Sequence, residues 1–133
     1  MLDSVHHIAF VVKNLDAAVA SYEKLLDIPM FERGPVPERG GEIAIFKLRN
    51  TRLELASPTG PGFLQDLLDN KGEGFFHIGF GVDDMSAAVD ELQGKGINMS
   101  GPEKTIYKDW RIAYIDQSDT AGIYAHLITN DAE

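Results

Sequence analysis

Apolar and polar positions alternate from Val5 to Val12 within a run rich in β-branched and aromatic residues, and this period of two predicts a strand. Asn14 then reads as a helix N-cap. Leu15, Val19, Tyr22 and Leu26 follow on one apolar helical face. Gly34-Pro35-Val36-Pro37 reads as punctuation, ahead of a strand from about Glu42 to Leu48, a tight turn at Asn50-Thr51 and a strand from about Arg52 to Ala56. Pro58 to Gly62 forms a loop, and Phe63, Leu64, Leu67 and Leu68 predict a short helix ending near Lys71-Gly72. The later part restates the plan. It predicts a strand over Phe75 to Val82, an N-cap at Asp84, a helix from Met85 to about Gln93 and stop signals at Gly94 and Gly96. Strands near Trp110 to Ile115 and Gly122 to Ile128 complete it.

That restatement is an internal repeat. His7 to Val19 (HIAFVVKNLDAAV) and His77 to Val89 (HIGFGVDDMSAAV) are identical at seven of thirteen positions at an offset of 70. Downstream, Arg52-Leu53-Glu54-Leu55 answers Tyr124-Ala125-His126-Leu127 at an offset of 72. The chain therefore reads as one α+β domain over residues 1–133, with a first module at about 5–57, a connecting helix at about 58–72 and a second module at about 75–129.

Strand alternation places His7, Ala9 and Val11 on one face and Ile8, Phe10 and Val12 on the other. The repeat does the same with His77, Gly79 and Gly81 against Ile78, Phe80 and Val82. The bulky face should pack on the helices, and the histidine face, with its small neighbours, should line a cavity. Glu54 opposes Leu53 and Leu55, as His126 opposes Ala125 and Leu127. If a pseudo-twofold axis relates the modules, His7 pairs with His77 and Glu54 with His126, so four potential ligands converge. A lone strand histidine is usually structural, but three of the four histidines fall at repeat-equivalent positions. Imidazole and carboxylate donors without sulfur suit one divalent ion among Zn, Ni, Co, Fe and Mn rather than Cu(I). His6 belongs to the opposite face and receives no role. Asp83-Asp84 reads as a strand end plus cap, and Gly40-Gly41 as a turn.

Composition narrows the partners. Twelve Lys and Arg against 21 Asp and Glu give a net charge of −9, which repels nucleic-acid backbones and anionic lipid surfaces. The chain has no Cys, which removes disulfides, thiolate nucleophiles and sulfur-ligated metal together. No basic leader or long apolar stretch opens the sequence, so a cytoplasmic protein is expected.

Several segments carry a family resemblance: His7 to Val12 with Asn14-Leu15, Thr51 to Pro58 (TRLELASP), Gly72 to Ile78 with Val82-Asp83-Asp84, and Arg111 to Asp116 followed by Asp119 to Gly122. Together they resemble the vicinal-oxygen-chelate (VOC; glyoxalase/bleomycin resistance/dioxygenase) superfamily, most nearly its methylmalonyl-CoA epimerases and small bacterial glyoxalase I-like proteins. The resemblance implies two tandem βαβββ modules forming a cupped mixed sheet around one metal, usually in a homodimer. It implies ligands at His7, Glu54 and His77, and at a fourth position where the family normally has Glu and this chain has His126. It further implies an isomerase or lyase that removes a proton next to a carbonyl of an acyl-CoA or hemithioacetal-like substrate, and in this chain His126 and Glu42 are the candidate bases. Lys104, Lys108 and Arg111 are the candidate cations for a coenzyme A moiety. Two other activities fit the superfamily: a small Fe(II)-dependent dioxygenase and a metal-free module that binds a drug or metabolite.

Overall fold

The chain folds in the order β1 (Ser4–Val11), α1 (Leu15–Leu26), β2 (Glu32–Val36), β3 (Gly41–Lys47), β4 (Arg52–Pro58), α2 (Phe63–Lys71), β5 (Gly74–Val82), α3 (Met85–Gly94), β6 (Lys104–Thr105), β7 (Arg111–Ile115) and β8 (Tyr124–Thr129). This computed structural model describes residues 2, 4–100, 104–105 and 107–129, with 104 and 105 described by backbone alone. Two βαβββ runs, β1-α1-β2-β3-β4 and β5-α3-β6-β7-β8, flank α2 and bear out the α+β class.

The repeat is visible in local geometry. Asn14 sits at φ −127°, ψ 106° and its side chain accepts from the backbone N–H of Ala17. Asp84 sits at φ −126°, ψ 104° and accepts from Ala87 in the same way. Each cap occupies an orphan N–H of the first helical turn, which turns the strand into its helix at the same point of both modules.

Contacts divide the chain into two compact units, residues 8–76 and residues 1–7 with 77–133, so the division falls inside β1 and β5. In the first unit the strand order is β2-β3-β4-β1. β2, β3 and β4 are antiparallel, with Glu42 opposite Ser57 and Glu54 opposite Ile45. Leu15 and Val19 of α1 pack with Ala44, Phe46 and Leu55, joined by Phe10, Val12, Tyr22, Leu26 and Leu53. Burying a side chain such as Phe46 or Leu55 contributes on the order of 2 kcal/mol. The expected apolar face of α1 is therefore the one used.

The second unit orders its strands β1-β5-β8-β7-β6. β5 runs parallel to β8, with Gly79 opposite His126, whereas β8 and β7 are antiparallel, with His126 opposite Tyr114. Its core joins Val82, Met85, Ala88, Ala113, Ala125 and Leu127, with Ile78 and Phe80 packed against them. Leu55 and Leu127, the apolar neighbours of Glu54 and His126, thus fill equivalent places in their own cores.

Two features depart from the sequence reading. Gly34-Pro35 lies within β2, not in a loop between elements. Among the described residues β2 pairs only with β3, and an edge strand tolerates a residue that cannot donate to a ladder. The two-residue β6 is too short to leave a periodic signal. The Gly40-Gly41 turn appears as Gly40 at φ 72° closing a 3-10 turn over Pro37–Arg39, after which Gly41 begins β3.

Candidate functional site

Three histidines of the second unit converge from three strands. His7 of β1, His77 of β5 and His126 of β8 are 1%, 2% and 2% exposed, and one ring nitrogen of each lies within 4.8 Å of the others. His7 Nε2 and His77 Nε2 are 2.9 Å apart and share a hydrogen bond. The His77 and His126 ring centroids are 4.6 Å apart, and those of His7 and His126 5.2 Å. Period-two alternation accounts for this placement on β5 and β8, because His77 and His126 alternate with Ile78, Ala125 and Leu127, which pack with Met85 and Ala88 of α3.

Gly79 makes room for the cluster. A Cβ at this position would lie 2.5 Å from His7 Cε1 and 3.0 Å from both His7 Nδ1 and His126 Nε2. No side chain fits there without displacing the imidazoles. Glycine and Ala9 leave space on the histidine face as the sequence suggests, but that face is deeply buried, with Ala9 0% and Val11 1% exposed, rather than open.

The donor set suits a dication. Three buried imidazoles bring ring nitrogens toward one region, and two nitrogens each about 2.0–2.1 Å from one ion lie roughly 3 Å apart. His7 and His77 already stand at about that separation. Histidines positioned to hold a metal are therefore a property of this chain.

The carboxylates named from the sequence belong to the other unit. Glu54, on β4, is 3% exposed, and burial pushes its carboxyl up to about 7, opposed only in part by the charge of Arg39. A carboxyl poised there suits a proton carrier as well as an anionic ligand. Arg39 lies over the Phe76 ring at 5.4 Å. Glu42, on β3, accepts from Arg33 Nε at 2.8 Å, while Arg33 Nη1 also donates to Asp16 at 2.6 Å. Its carboxylate is half-buried and ion-paired with Arg33.

Two neighbours escaped the sequence reading. His6 is 4% exposed, and its Nδ1 lies 2.8 Å from His7 Nδ1. Trp110, 2% exposed, packs edge-on to His6 at 5.1 Å and tilted against His7 at 5.7 Å. Of the candidate cations, Lys108 adopts a left-handed backbone with φ 51° and reaches over the Tyr107 ring at 5.7 Å, and Arg111 is exposed. The side chain of Lys104 lies outside the described residues. Among the described residues, no helix is long and apolar enough to cross a membrane.

Comparison with known proteins places these features in company. Residues 6–114 match the family described as the Glyoxalase/Bleomycin resistance protein/Dioxygenase superfamily. The chain is 33% identical over 132 residues to the mitochondrial methylmalonyl-CoA epimerase of Homo sapiens, covering 95% of this chain and 73% of that protein. It is 32% identical over 106 residues to an ethylmalonyl-CoA/methylmalonyl-CoA epimerase of Cereibacter sphaeroides, covering 76% and 77%. Among solved structures, a variant methylmalonyl-CoA epimerase of Streptomyces coelicolor in complex with 2-nitronate-propionyl-CoA superposes with a TM-score of 0.90 at 26% identity, over 99% of this chain and 97% of that one.

Proposed function

The chain belongs to the Glyoxalase/Bleomycin resistance protein/Dioxygenase superfamily, and on that premise we propose that it is a divalent-metal-dependent epimerase acting on a 2-substituted malonyl-CoA such as methylmalonyl-CoA. The single observation that carries this reading is the buried cluster of His7, His77 and His126 in a chain similar to epimerases along almost its whole length. In this reading His7 and His77 hold the ion, and His126 serves as a further ligand or as base. When bound, a divalent ion stabilises negative charge that develops on a carbonyl oxygen.

Epimerisation requires that the proton on C2, acidified by the flanking carbonyls, leave on one face and return on the other. Burial of the histidines excludes water, which keeps a stabilising charge effective and protects the enolate from unguided protonation. The candidate proton carriers are His126, within the cluster, and Glu42, which is ion-paired with Arg33. The relatives' named substrates favour an acyl-CoA over a hemithioacetal. The reading also includes a homodimer in the cytoplasm.

The test is solvent exchange. The protein loaded with Co2+ or Zn2+ and incubated in D2O with methylmalonyl-CoA should place deuterium at C2 and interconvert the two epimers. Exchange no faster than in the protein-free solution would overturn the proposal.

A further inference from the structure

We propose that His6 is a positioning residue that accepts the Nδ1 proton of His7, and so commits the His7 Nε2 lone pair to the His77 and His126 cluster. The inference rests on the reading of His7 as a metal ligand, but its hydrogen-bond content does not depend on a metal being bound.

The geometry allows few alternatives. A neutral imidazole carries one proton, on either Nδ1 or Nε2. His7 uses both nitrogens, with Nδ1 2.8 Å from His6 Nδ1 and Nε2 2.9 Å from His77 Nε2. If Nδ1 donates to His6, then Nε2 bears the lone pair, which accepts from His77 in the metal-free protein and becomes available to a cation once His77 has moved that proton to its own Nδ1. If the proton sits instead on Nε2, His7 cannot ligate through the atom that faces the cluster. Ligating histidines generally owe their tautomer to such an outer partner on the second nitrogen.

His6 is suited to that work because it is itself held. Its ring meets His7 at 84° with centroids 5.1 Å apart and stands edge-on to Trp110 at 82°. Trp110 is held in turn by the Tyr107 ring, edge-on at 5.3 Å. All four rings are buried, so the His6 ring cannot swing away into solvent. For His6 Nδ1 to accept, its own proton must lie on Nε2.

The first experiment uses the metal-free full-length protein with 15N-labelled histidine. Nitrogen shifts and ring couplings should assign the His7 proton to Nδ1 and the His6 proton to Nε2. A His7 proton on Nε2 in the unsubstituted protein would overturn the proposal without any variant. Zinc titration then compares the parent with His6→Phe and His6→Asn, the latter because an amide oxygen can take the place of Nδ1 as acceptor. His6→Phe should weaken zinc binding by about 10–100-fold, and His6→Asn should recover most of that loss at unchanged Tm. Equal zinc affinity in the parent and His6→Phe would overturn the positioning role. A parent that binds no zinc would instead defeat the metal reading, and the tautomer assignment would still decide the hydrogen bond.

Discussion

His7 Nε2 lies 2.9 Å from His77 Nε2, although seventy residues separate them in the chain. The two residues occupy the same place in the two copies of the repeat, and each precedes its helix N-cap, Asn14 or Asp84, by seven positions. Duplication of one small unit thus brings two histidines together, and β8 adds His126 through its parallel pairing with β5.

Gly79 is the residue on which this convergence depends most narrowly. Gly79→Ala would drive a methyl group to 2.5 Å from His7 Cε1. We expect a loss of about 1–3 kcal/mol in urea unfolding and a drop in metal affinity exceeding that of a surface substitution. Unchanged stability together with unchanged affinity would show that the imidazoles do not pack as described.

The Glu54 carboxyl gives stability a pH dependence of definite sign. Its folded value, about 7, exceeds the ordinary 4.5, so the folded state binds the proton more tightly than the unfolded chain. The favourable contribution is complete below about pH 4.5 and is lost as pH rises through 7, by about 3 kcal/mol in all. In the presence of a chelator, the parent should therefore lose stability between pH 5 and 8 relative to Glu54→Gln. Parallel unfolding curves for the two proteins across that range would contradict the assignment.

Much of this was legible in the sequence, for a physical reason. Period two on β1, β5, β4 and β8 determines which side chains leave the helix-packed face, and the repeat at offsets of 70 and 72 indicates which strands correspond. His7, His77 and His126 follow from those two facts. His6 did not, because alternation governs where Cβ points, whereas Nδ1 lies two bonds further out and can reach back to the neighbouring ring. Its other partner, Trp110, is more than a hundred positions away and outside any shared period. β2 was hidden by Pro35, which reads as a break unless the strand is known to lie at an edge. The position of the Glu54 carboxyl on the pH scale depends on complete burial, a property of the packed core and not of the local pattern.

His126 is where the chain departs from the glutamate that its resemblance implies. Replacing a carboxylate by an imidazole removes one negative charge from the ligand set and one carboxylate base. His126→Glu should retain metal and raise deuterium exchange into methylmalonyl-CoA relative to the parent. A parent already fast, and slowed by the substitution, would instead identify His126 as the working proton carrier. Mass spectrometry of the recovered thioester distinguishes the two outcomes.

The central claim, that the three-histidine cluster holds an ion which the proton exchange requires, is tested most directly by following exchange while metal is returned to chelator-treated protein. Exchange at C2 should rise with bound ion and level off at about one equivalent per chain, and His77→Ala should neither bind the ion nor exchange the proton. Exchange that persists at full rate in the chelated parent, or a His77→Ala protein that keeps both the ion and the rate, would contradict the account.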